Sequence, residues 1–358
     1  MKELKHEGVI MNNKALKVGL DDYWCHIHNE AEGYDSHFSL SSKKAKFDRM
    51  ILEYILYAAN LPNMIGSSVE EYFNRDTVPH AAVSVIGKLV DYLLPRVVED
   101  SIGIFTNIEK VEHGDSLEIT IKDKSLFAVN RKEESSKKGK RYNGIVTIIP
   151  QSKYIKTVAP IYNLLSGKES LTEFLIQIVQ SFKMQIVSEV YGVMRCAMKN
   201  LPQDGMTRLS ISGYSRKGLI SLSEKVSAWN NNAKVCLLGT ACGLSSVLPS
   251  DYKYSSMSFG KPIFIDTIDG VDIMRMPQLA DYSNPFGLLL SDEELFLISP
   301  SVSKLVSLVF EGNIISDVSV SSGKDIFNRE ITLWLSYGTG VATNSVAGLI
   351  ILEQGDKN

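Results

Sequence analysis

The longest stretch of helical periodicity in the sequence runs from Ser170 to about Lys199 and predicts one unbroken helix. Ser170 and Glu173 have the S-x-x-E spacing of a capping box, and apolar residues follow at intervals of three and four. Pro202 and Gly205 mark the end of the helix. Such a helix would be about 45 Å long, against a mean of about 12 residues in globular proteins. It therefore indicates a spine that braces an extended subunit.

A strand, a charged stretch and a second strand come before this helix. Leu117–Ile121 alternates apolar and polar residues, and residues 144–149 are β-branched, so both predict strands. Residues 131–141, between them, carry many lysines, arginines and glutamates. Because a protein core could not pair so many charges, we expect this stretch to be the exposed tip of a long hairpin.

The first hundred residues predict an arm followed by two helices. Residues 1–45 are polar and irregular, as in an extended arm. Apolar residues recur at helical spacing over 46–60 and again over 81–94, where Pro95 is expected to stop the helix.

Beyond residue 213 the pattern alternates between helix and strand and predicts a compact α/β domain. A helix is expected over 214–229, with strands at 235–238, 263–265, 271–276 and 295–298 and a hairpin turn at Asp269–Gly270. Further strands are expected at 305–310, 318–320, 331–335 and 349–352, with Gly338–Gly340 as a glycine turn between the last two.

The composition indicates a globular protein and argues against a nucleic-acid-binding or membrane-spanning one. The 358 residues allow two or three domains, and a hydrophobic fraction of 44% is enough for a real core. A formal net charge of -3 shows no basic excess that would indicate nucleic-acid binding. The four cysteines are widely spaced, and the sequence shows neither a signal peptide nor an apolar run of about 20 residues. We expect reduced thiols and an aqueous, intracellular environment.

Cysteine and histidine cluster once, near the N-terminus. Cys25, His26, His28 and His37 are natural zinc ligands, but their spacing fits no zinc motif. The simpler interpretation is a polar arm, and we expect no metal there.

Three other motifs resemble catalytic or metal-binding motifs, but each lacks a residue or a spacing that the motif requires. Gly239–Gly243 resembles a nucleophile elbow, but its centre is Ala241. The aspartates around Gly270 do not have the spacing of an EF-hand. Cys236 and Cys242 have no histidine near them in the sequence, which suits small core residues. We therefore expect no catalytic site and no cofactor.

The order of these elements resembles the major capsid proteins of tailed bacteriophages with the Hong Kong 97-type fold, over about residue 100 to the end. The resemblance implies an α+β fold in which the hairpin at about 112–148 is the extended E-loop and the helix at 170–199 is the spine. Strands 305–312 and 331–336 would belong to the peripheral domain, with 313–329 as a loop near local three-fold axes. Strand 346–352 would close the axial sheet.

The resemblance also implies domain boundaries. The N-terminal arm and helices would cover 1–100 and the E-loop hairpin 101–150. The peripheral domain would combine 151–205 with 300–342, and the axial domain 206–299 with 343–358.

The function implied by the resemblance is that of a viral structural protein, not an enzyme. The chain would self-assemble into hexamers and pentamers of an icosahedral shell that encloses the phage genome. Its partners would be itself, portal, scaffolding and decoration proteins, and double-stranded DNA contacted without sequence specificity, with no membrane. Assembly would take place in the host bacterial cytoplasm, and the protein would end in the virion capsid.

Some members of this family cross-link a hairpin lysine to an asparagine of a neighbour, with a glutamate as helper. Candidate intersubunit contacts here are Lys132, Lys137, Lys138, Lys140, Asn313 and Asn328, with Asn344 as a further acceptor and Glu311 or Glu330 as helper. None of them aligns residue by residue with the family, so non-covalent assembly is expected.

Three alternatives stay open from the sequence. An encapsulin-like nanocompartment shell would share the fold, a tail tube protein would form rings or tubes, and a thiol enzyme would use Cys242.

Overall fold

The computed structural model describes residues 37–73, 75, 77–121, 144–200, 208–247, 263–276, 278–281, 284, 286–320, 329–341 and 345–352. Helices and strands are interspersed along these ranges, so the α+β class is confirmed. The helices are α1 (His37–Ala58), α2 (Val69–Phe73), α3 (Thr77–Ile102), α4 (Ile161–Leu165), α5 (Leu171–Asn200), α6 (Arg216–Trp229) and α7 (Ala241–Ser245), with a 3-10 turn at Pro62–Met64.

The strands divide among four sheets. They are β1 (Thr106–Val111), β2 (Leu117–Ile121), β3 (Gly144–Ile148), β4 (Gln151–Ala159), β5 (Arg208–Ser212), β6 (Cys236–Gly239), β7 (Ile263–Ile268), β8 (Val271–Arg275), β9 (Ala280–Asp281), β10 (Gly287–Leu288), β11 (Glu294–Ile298), β12 (Val306–Val320), β13 (Arg329–Val341) and β14 (Ala347–Ile351). The sheet orders are β1-β12-β13-β4, β5-β14-β11-β6-β8-β7, and the two hairpins β2-β3 and β9-β10.

The long helix predicted from the sequence is present as α5, and two elements fix its first turn. The hydroxyl of Ser170 accepts a hydrogen bond from the Glu173 N–H at 3.2 Å, as a capping residue should. The Glu173 carboxylate does not complete the capping box; it pairs with Lys44 of α1. Asp48, also on α1, accepts hydrogen bonds from the Thr172 N–H at 2.8 Å and from the Thr172 hydroxyl at 2.6 Å. The start of α5 is therefore tied to α1.

Replacing Asp48 with alanine should lower the free energy of unfolding by about 1–2 kcal/mol, because the buried Thr172 loses its acceptor. Asp48→Asn keeps a side-chain oxygen in place and should cost less than half as much. Urea unfolding of the unassembled subunit, followed by circular dichroism, measures both variants. Equal losses would show that hydrogen-bond acceptance is not what Asp48 contributes.

The N-terminal helices differ from their predicted bounds. The predicted arm extends to residue 45, but α1 already begins at His37, since no residue in between breaks a helix. Pro95 was expected to end the second helix, yet α3 continues through it to Ile102. Proline removes one backbone hydrogen bond, at a cost of about 3 kcal/mol. Val97, Val98 and Ile102 are fully buried after it, and burying three such side chains more than offsets that cost.

The four-stranded sheet corrects two predictions about the C-terminal third of the chain. Residues 313–329 were expected to form a loop, but β12 runs on to Val320 and pairs with β13 through a bulge between Glu311 and Ile315. Of that predicted loop, residues 321–328 lie outside the described residues. Gly338–Gly340 is not a turn: it lies within β13 opposite residues 307–309 of β12. The sequence alone did not show that these strands are 15 and 13 residues long.

The six-stranded sheet and the helices enclose two hydrophobic cores. One core lies between α1, α3 and α5 and takes in the inner face of the four-stranded sheet and one face of the six-stranded sheet. The other lies on the opposite face of the six-stranded sheet, under α6 and α7. The predicted hairpin turn is confirmed, since Asp269 and Gly270 both have positive φ, 52° and 83°, between antiparallel β7 and β8. Strand β14 lies inside the sheet, between β5 and β11.

Candidate intersubunit surface

Within the part of the chain that the structure describes, the hairpin β2–β3 pairs with no further strand. It forms a sheet of only two strands, from Leu117↔Ile148 at its base to Ile121↔Gly144. Ile145 and Ile149 are 65% and 71% exposed, and they share a face with the exposed Thr147. An isolated two-stranded hairpin is marginal in water, and exposed β-branched residues add a hydrophobic cost. This hairpin therefore offers an apolar surface to another molecule.

Among the described residues, the base of the hairpin packs on the body of the subunit through Ile148, which is buried. Its side chain lies over two glycines of β13. A Cβ at Gly338 would come within 2.9 Å of Ile148 Cγ2 and of the Ile149 carbonyl oxygen. A Cβ at Gly340 would come within 2.8 Å of Ile148 Cγ1. Two glycines on one face of a strand thus provide the space in which the hairpin docks.

The outward face of the four-stranded sheet carries an apolar row that we call the outer face row. It consists of Ile315, Trp334 and Tyr154, which are direct cross-strand neighbours on β12, β13 and β4. Tyr154 and Ile315 are 64% and 56% exposed, and Trp334 is half-buried. The opposite face of the same sheet packs into the core. A contiguous exposed apolar patch of this kind commonly marks a protein–protein contact.

Strand β4 is the edge of this sheet, and a polar cluster holds it to α5. Lys153 of β4 pairs with Glu189 of α5, donates a hydrogen bond to the Tyr337 hydroxyl at 3.2 Å and lies 4.4 Å from the centre of that ring. Gln185 donates to the other Glu189 oxygen at 2.6 Å. Burial opposes ionisation of Glu189, but the hydrogen bonds from Lys153 and Gln185 outweigh it and lower the pKa of this carboxyl. The edge strand is therefore held by an ionised carboxylate.

This cluster should make the subunit acid-sensitive. A carboxyl whose pKa is lower when folded stabilises the protein above its unfolded pKa, near 4.5, and that contribution is lost as the pH falls through the folded pKa. We expect Glu189→Gln to lower the free energy of unfolding by about 1 kcal/mol at pH 7 and by much less at a pH below the folded pKa of Glu189. Urea unfolding of both proteins at the two pH values measures the difference. A difference that is the same at both would contradict this assignment.

The intersubunit residues predicted from the sequence fall into two groups. Lys132, Lys137, Lys138, Lys140, Asn328 and Asn344 lie outside the described residues, as do Cys25, His26 and His28. Asn313 lies within β12, and its side-chain oxygen accepts a hydrogen bond from Lys110 of the same chain at 3.0 Å. A contact of Asn313 with a neighbouring subunit stays a prediction.

The two helper glutamates also have partners in their own chain. Glu311 accepts a hydrogen bond from the Gly114 N–H at 2.7 Å, at the turn that leads into β2. Glu330 pairs with Lys156 across the outer face at 2.9 Å. Both side chains thus brace the subunit: Glu311 fixes the start of the hairpin and Glu330 fixes the edge strand.

The residues of the motifs that resembled a nucleophile elbow and a calcium loop cap a helix or form ion pairs within the subunit. Thr240 caps α7 by accepting a hydrogen bond from the Gly243 N–H at 3.1 Å. Asp269 forms a two-pronged pair with Arg216, and Asp272 pairs with Lys234. Burial raises the pKa of the Cys236 thiol to about 12, which keeps it protonated at neutral pH. Cys242 is exposed.

Within the described ranges, no three histidine, cysteine, aspartate or glutamate side chains lie close enough together to hold a metal ion. None of the helices seen there is both long enough and apolar enough to cross a bilayer.

The sequence did not identify the outer face row, nor the position where Ile148 packs over Gly338 and Gly340, which we call the glycine seat. Residues 151–159 do alternate along β4, but alternation does not say which face packs against α5. Two glycines two residues apart are a usable signal, since they share one face of a strand and permit another chain segment to approach.

No family profile and no curated protein sequence matches the chain. Several solved structures are similar to it. The capsid of cyanophage P-SCSP1u is 11% identical, with a TM-score of 0.43 over 70% of this chain and 87% of that one. The capsid of a native GTA particle is 10% identical, with a TM-score of 0.44 over 71% and 90%. The head structure of Helicobacter pylori bacteriophage KHP40 is 9% identical, with a TM-score of 0.44 over 72% and 91%.

Proposed function

We propose that this chain is a major capsid protein of a tailed bacteriophage, which assembles with copies of itself into an icosahedral shell. The observation that supports this most is that Ile145 of the hairpin β2–β3 and the adjoining Ile149 are exposed although they are apolar. A second copy can cover them, and the same subunit offers the outer face row as an apolar surface. In a shell of identical subunits, each chain must carry both partners of every contact, here the hairpin and an apolar surface such as the outer face row.

The proposed domain plan follows the element order. The hairpin would be the E-loop, within 101–150, and α5 would be the spine of a peripheral domain formed by 151–205 and 300–342. The axial domain would combine 206–299 with 343–358 and contain most of the six-stranded sheet. Residues 1–100 would add an arm and helices, and α1 and α3 share the core of the spine helix.

The proposed partners are those that a phage shell requires. They comprise the same chain in hexamers and pentamers, portal, scaffolding and decoration proteins, and packaged double-stranded DNA bound through its charge alone. Assembly would take place in the host bacterial cytoplasm, and the shell would be the protein's final location. We propose a structural role without catalysis, because Thr240 serves as a helix cap, Asp269 and Asp272 form ion pairs, and burial keeps the Cys236 thiol protonated.

Assembly of the purified chain tests this function directly. Negative-stain electron microscopy and analytical ultracentrifugation should show hexamers, pentamers or closed shells. Persistent monomers under all assembly conditions would overturn the proposal, tubes or rings would favour a tail protein, and native particles that hold enzymes instead of DNA would indicate a nanocompartment.

The hairpin isoleucines provide the site-specific test of the proposal. Ile145→Ser combined with Ile149→Ser should leave the subunit folded, since both residues are exposed, and should reduce assembly at least about tenfold. Thr147→Ser is the matched control, because it lies on the same hairpin face and loses only a methyl group. Normal assembly of the isoleucine variant would exclude the hairpin from the interface.

A further inference from the structure

The turn between β7 and β8 consists of a pair of residues that is prone to backbone isomerisation. Ile268 pairs with Val271, so Asp269 and Gly270 alone connect the two strands. In an Asp–Gly pair the glycine nitrogen can attack the aspartate Cγ and close a cyclic imide. Glycine favours this attack because it has no side chain. A Cβ at Gly270 would meet nothing within 4 Å, so the space beside its amide is open.

This ring closure needs no reactant other than water. The Gly270 N–H proton and the carboxyl hydroxyl of Asp269 leave as water when the N–Cγ bond forms. Water then opens the ring, and attack at the original backbone carbonyl leaves the main chain running through Cγ as isoaspartate. No atom is oxidised or reduced, and the mass of the chain is unchanged. The extra methylene in so short a turn would displace β8 from its partners β7 and β6.

Arg216 holds the carboxyl in the form and position that suit this reaction least. Its Nε donates to Asp269 Oδ2 at 2.8 Å and its second terminal nitrogen donates to Oδ1 at 2.6 Å, so both carboxylate oxygens are engaged. Ring closure requires a protonated carboxyl, whose hydroxyl can leave, and a Cγ that can turn toward the Gly270 nitrogen. The hydrogen bond from Arg216 lowers the pKa of the Asp269 carboxyl, which keeps it ionised. The two-pronged contact also fixes the orientation of the carboxylate.

Folding stability alone gives a weaker reason for this ion pair. The Arg216 side chain is 73% exposed, and ion pairs at such exposure contribute little to the free energy of unfolding. Asp269 and Gly270 already have the positive φ that the hairpin turn requires, 52° and 83°. A contact of small value for folding can still control a slow chemical step, because it must break before each ring closure.

We propose that Asp269–Gly270 is a latent site of isoaspartate formation and that Arg216 protects it. The arginine acts as a positioning residue, through the carboxylate that it holds. Loss of Arg216 should therefore raise the rate of isoaspartate formation at Asp269 several-fold and leave the free energy of unfolding nearly unchanged. This inference does not depend on the capsid function.

Ageing of the purified full chain tests the proposal. Arg216→Gln should form isoaspartate at Asp269 several-fold faster than the wild type over weeks at mildly acidic to neutral pH. Arg216→Lys keeps the charge but cannot hold both oxygens in the same way, so its rate should be intermediate. Lys217→Gln is the matched control, because it removes a cation from the next residue, which is also exposed. Peptide mass spectrometry with electron-transfer fragmentation measures the rates. Equal rates in Arg216→Gln and Lys217→Gln would overturn the proposal.

Two further measurements separate protection of the carboxyl from opening of the turn. The same dipeptide occurs at Asp204–Gly205, and its rate in the same digests should not depend on Arg216. Hydrogen exchange of the β7 and β8 amides should be the same in Arg216→Gln and the wild type. If the rate at Asp204 or the exchange in the hairpin rises as much as the rate at Asp269, Arg216 acts on the fold instead of the carboxylate. The proposed protection would then be wrong.

Discussion

Asn230→Ala should lower the free energy of unfolding by about 3 kcal/mol, the largest loss of stability that we expect from a single hydrogen-bonding side chain here. Asn230 follows the last turn of α6 and is only 2% exposed. Its side-chain nitrogen donates to the Val346 carbonyl at 2.7 Å and its oxygen accepts from the Val346 N–H at 2.8 Å. The same nitrogen donates to the buried Ser299 hydroxyl at 3.2 Å. Alanine leaves all three groups without this partner in a site that excludes water.

Two further variants show whether the loss of stability comes from the hydrogen bonds of the Asn230 side-chain amide. Ser299→Ala removes one partner and should cost about 1 kcal/mol. Asn230→Asp keeps the shape but replaces the donor with a buried charge, so at neutral pH it should destabilise at least as much as alanine. Urea unfolding of the unassembled subunit gives all three values. A loss below about 0.5 kcal/mol for Asn230→Ala would mean that the loop before β14 is held by other contacts.

Features with a local cause were predictable from the sequence. Helix α5 has a cap at Ser170 and an unbroken apolar stripe, and both act within a few residues of the chain. The turn at Asp269–Gly270 requires two residues that tolerate positive φ, and this pair of residues does so. The base of the hairpin was visible because alternation and β-branching mark strands wherever they occur.

Features that depend on distant contacts were not predictable. Strand β1 pairs in parallel with β12, about 200 residues away, and nothing in Thr106–Val111 specifies that partner. The length of β12 depends on β13 beside it, and α3 passes Pro95 only because both sides of the proline are buried. In each case tertiary packing overrides a correct local signal.

The candidate intersubunit surface could not be predicted from the sequence either, because it also depends on distant contacts. Tyr154, Trp334 and Ile315 are ordinary strand residues in sequence, and their exposure follows from which face of the sheet packs on α5. In the sequence, the two glycines of β13 predict a turn, because a glycine pair after a strand more often forms a turn than a surface on which another segment docks. Only the position of Ile148 distinguishes the two interpretations.

Gly338→Ala should reduce shell assembly at least about tenfold while the subunit still folds. The added Cβ would lie 2.9 Å from Ile148 Cγ2 and 2.9 Å from the Ile149 carbonyl oxygen, closer than real Cβ contacts. The isoleucine side chain could rotate away, but the carbonyl belongs to the backbone, so the base of the hairpin must shift. The loss of subunit stability should be only about 1–3 kcal/mol, since the hairpin has few contacts with its own core.

Assembly is the more sensitive readout because every subunit in a closed shell repeats the same displaced contact. Gly192→Ala is the matched control, since a Cβ at that helical position meets nothing within 4 Å. Sedimentation velocity of the folded variants would measure the assembled fraction, and urea unfolding would measure the stability of each subunit. If Gly338→Ala folds and assembles as well as Gly192→Ala, the orientation of the hairpin does not control assembly. If it fails to assemble at nearly unchanged stability, the glycine seat sets the angle at which each subunit reaches its neighbour.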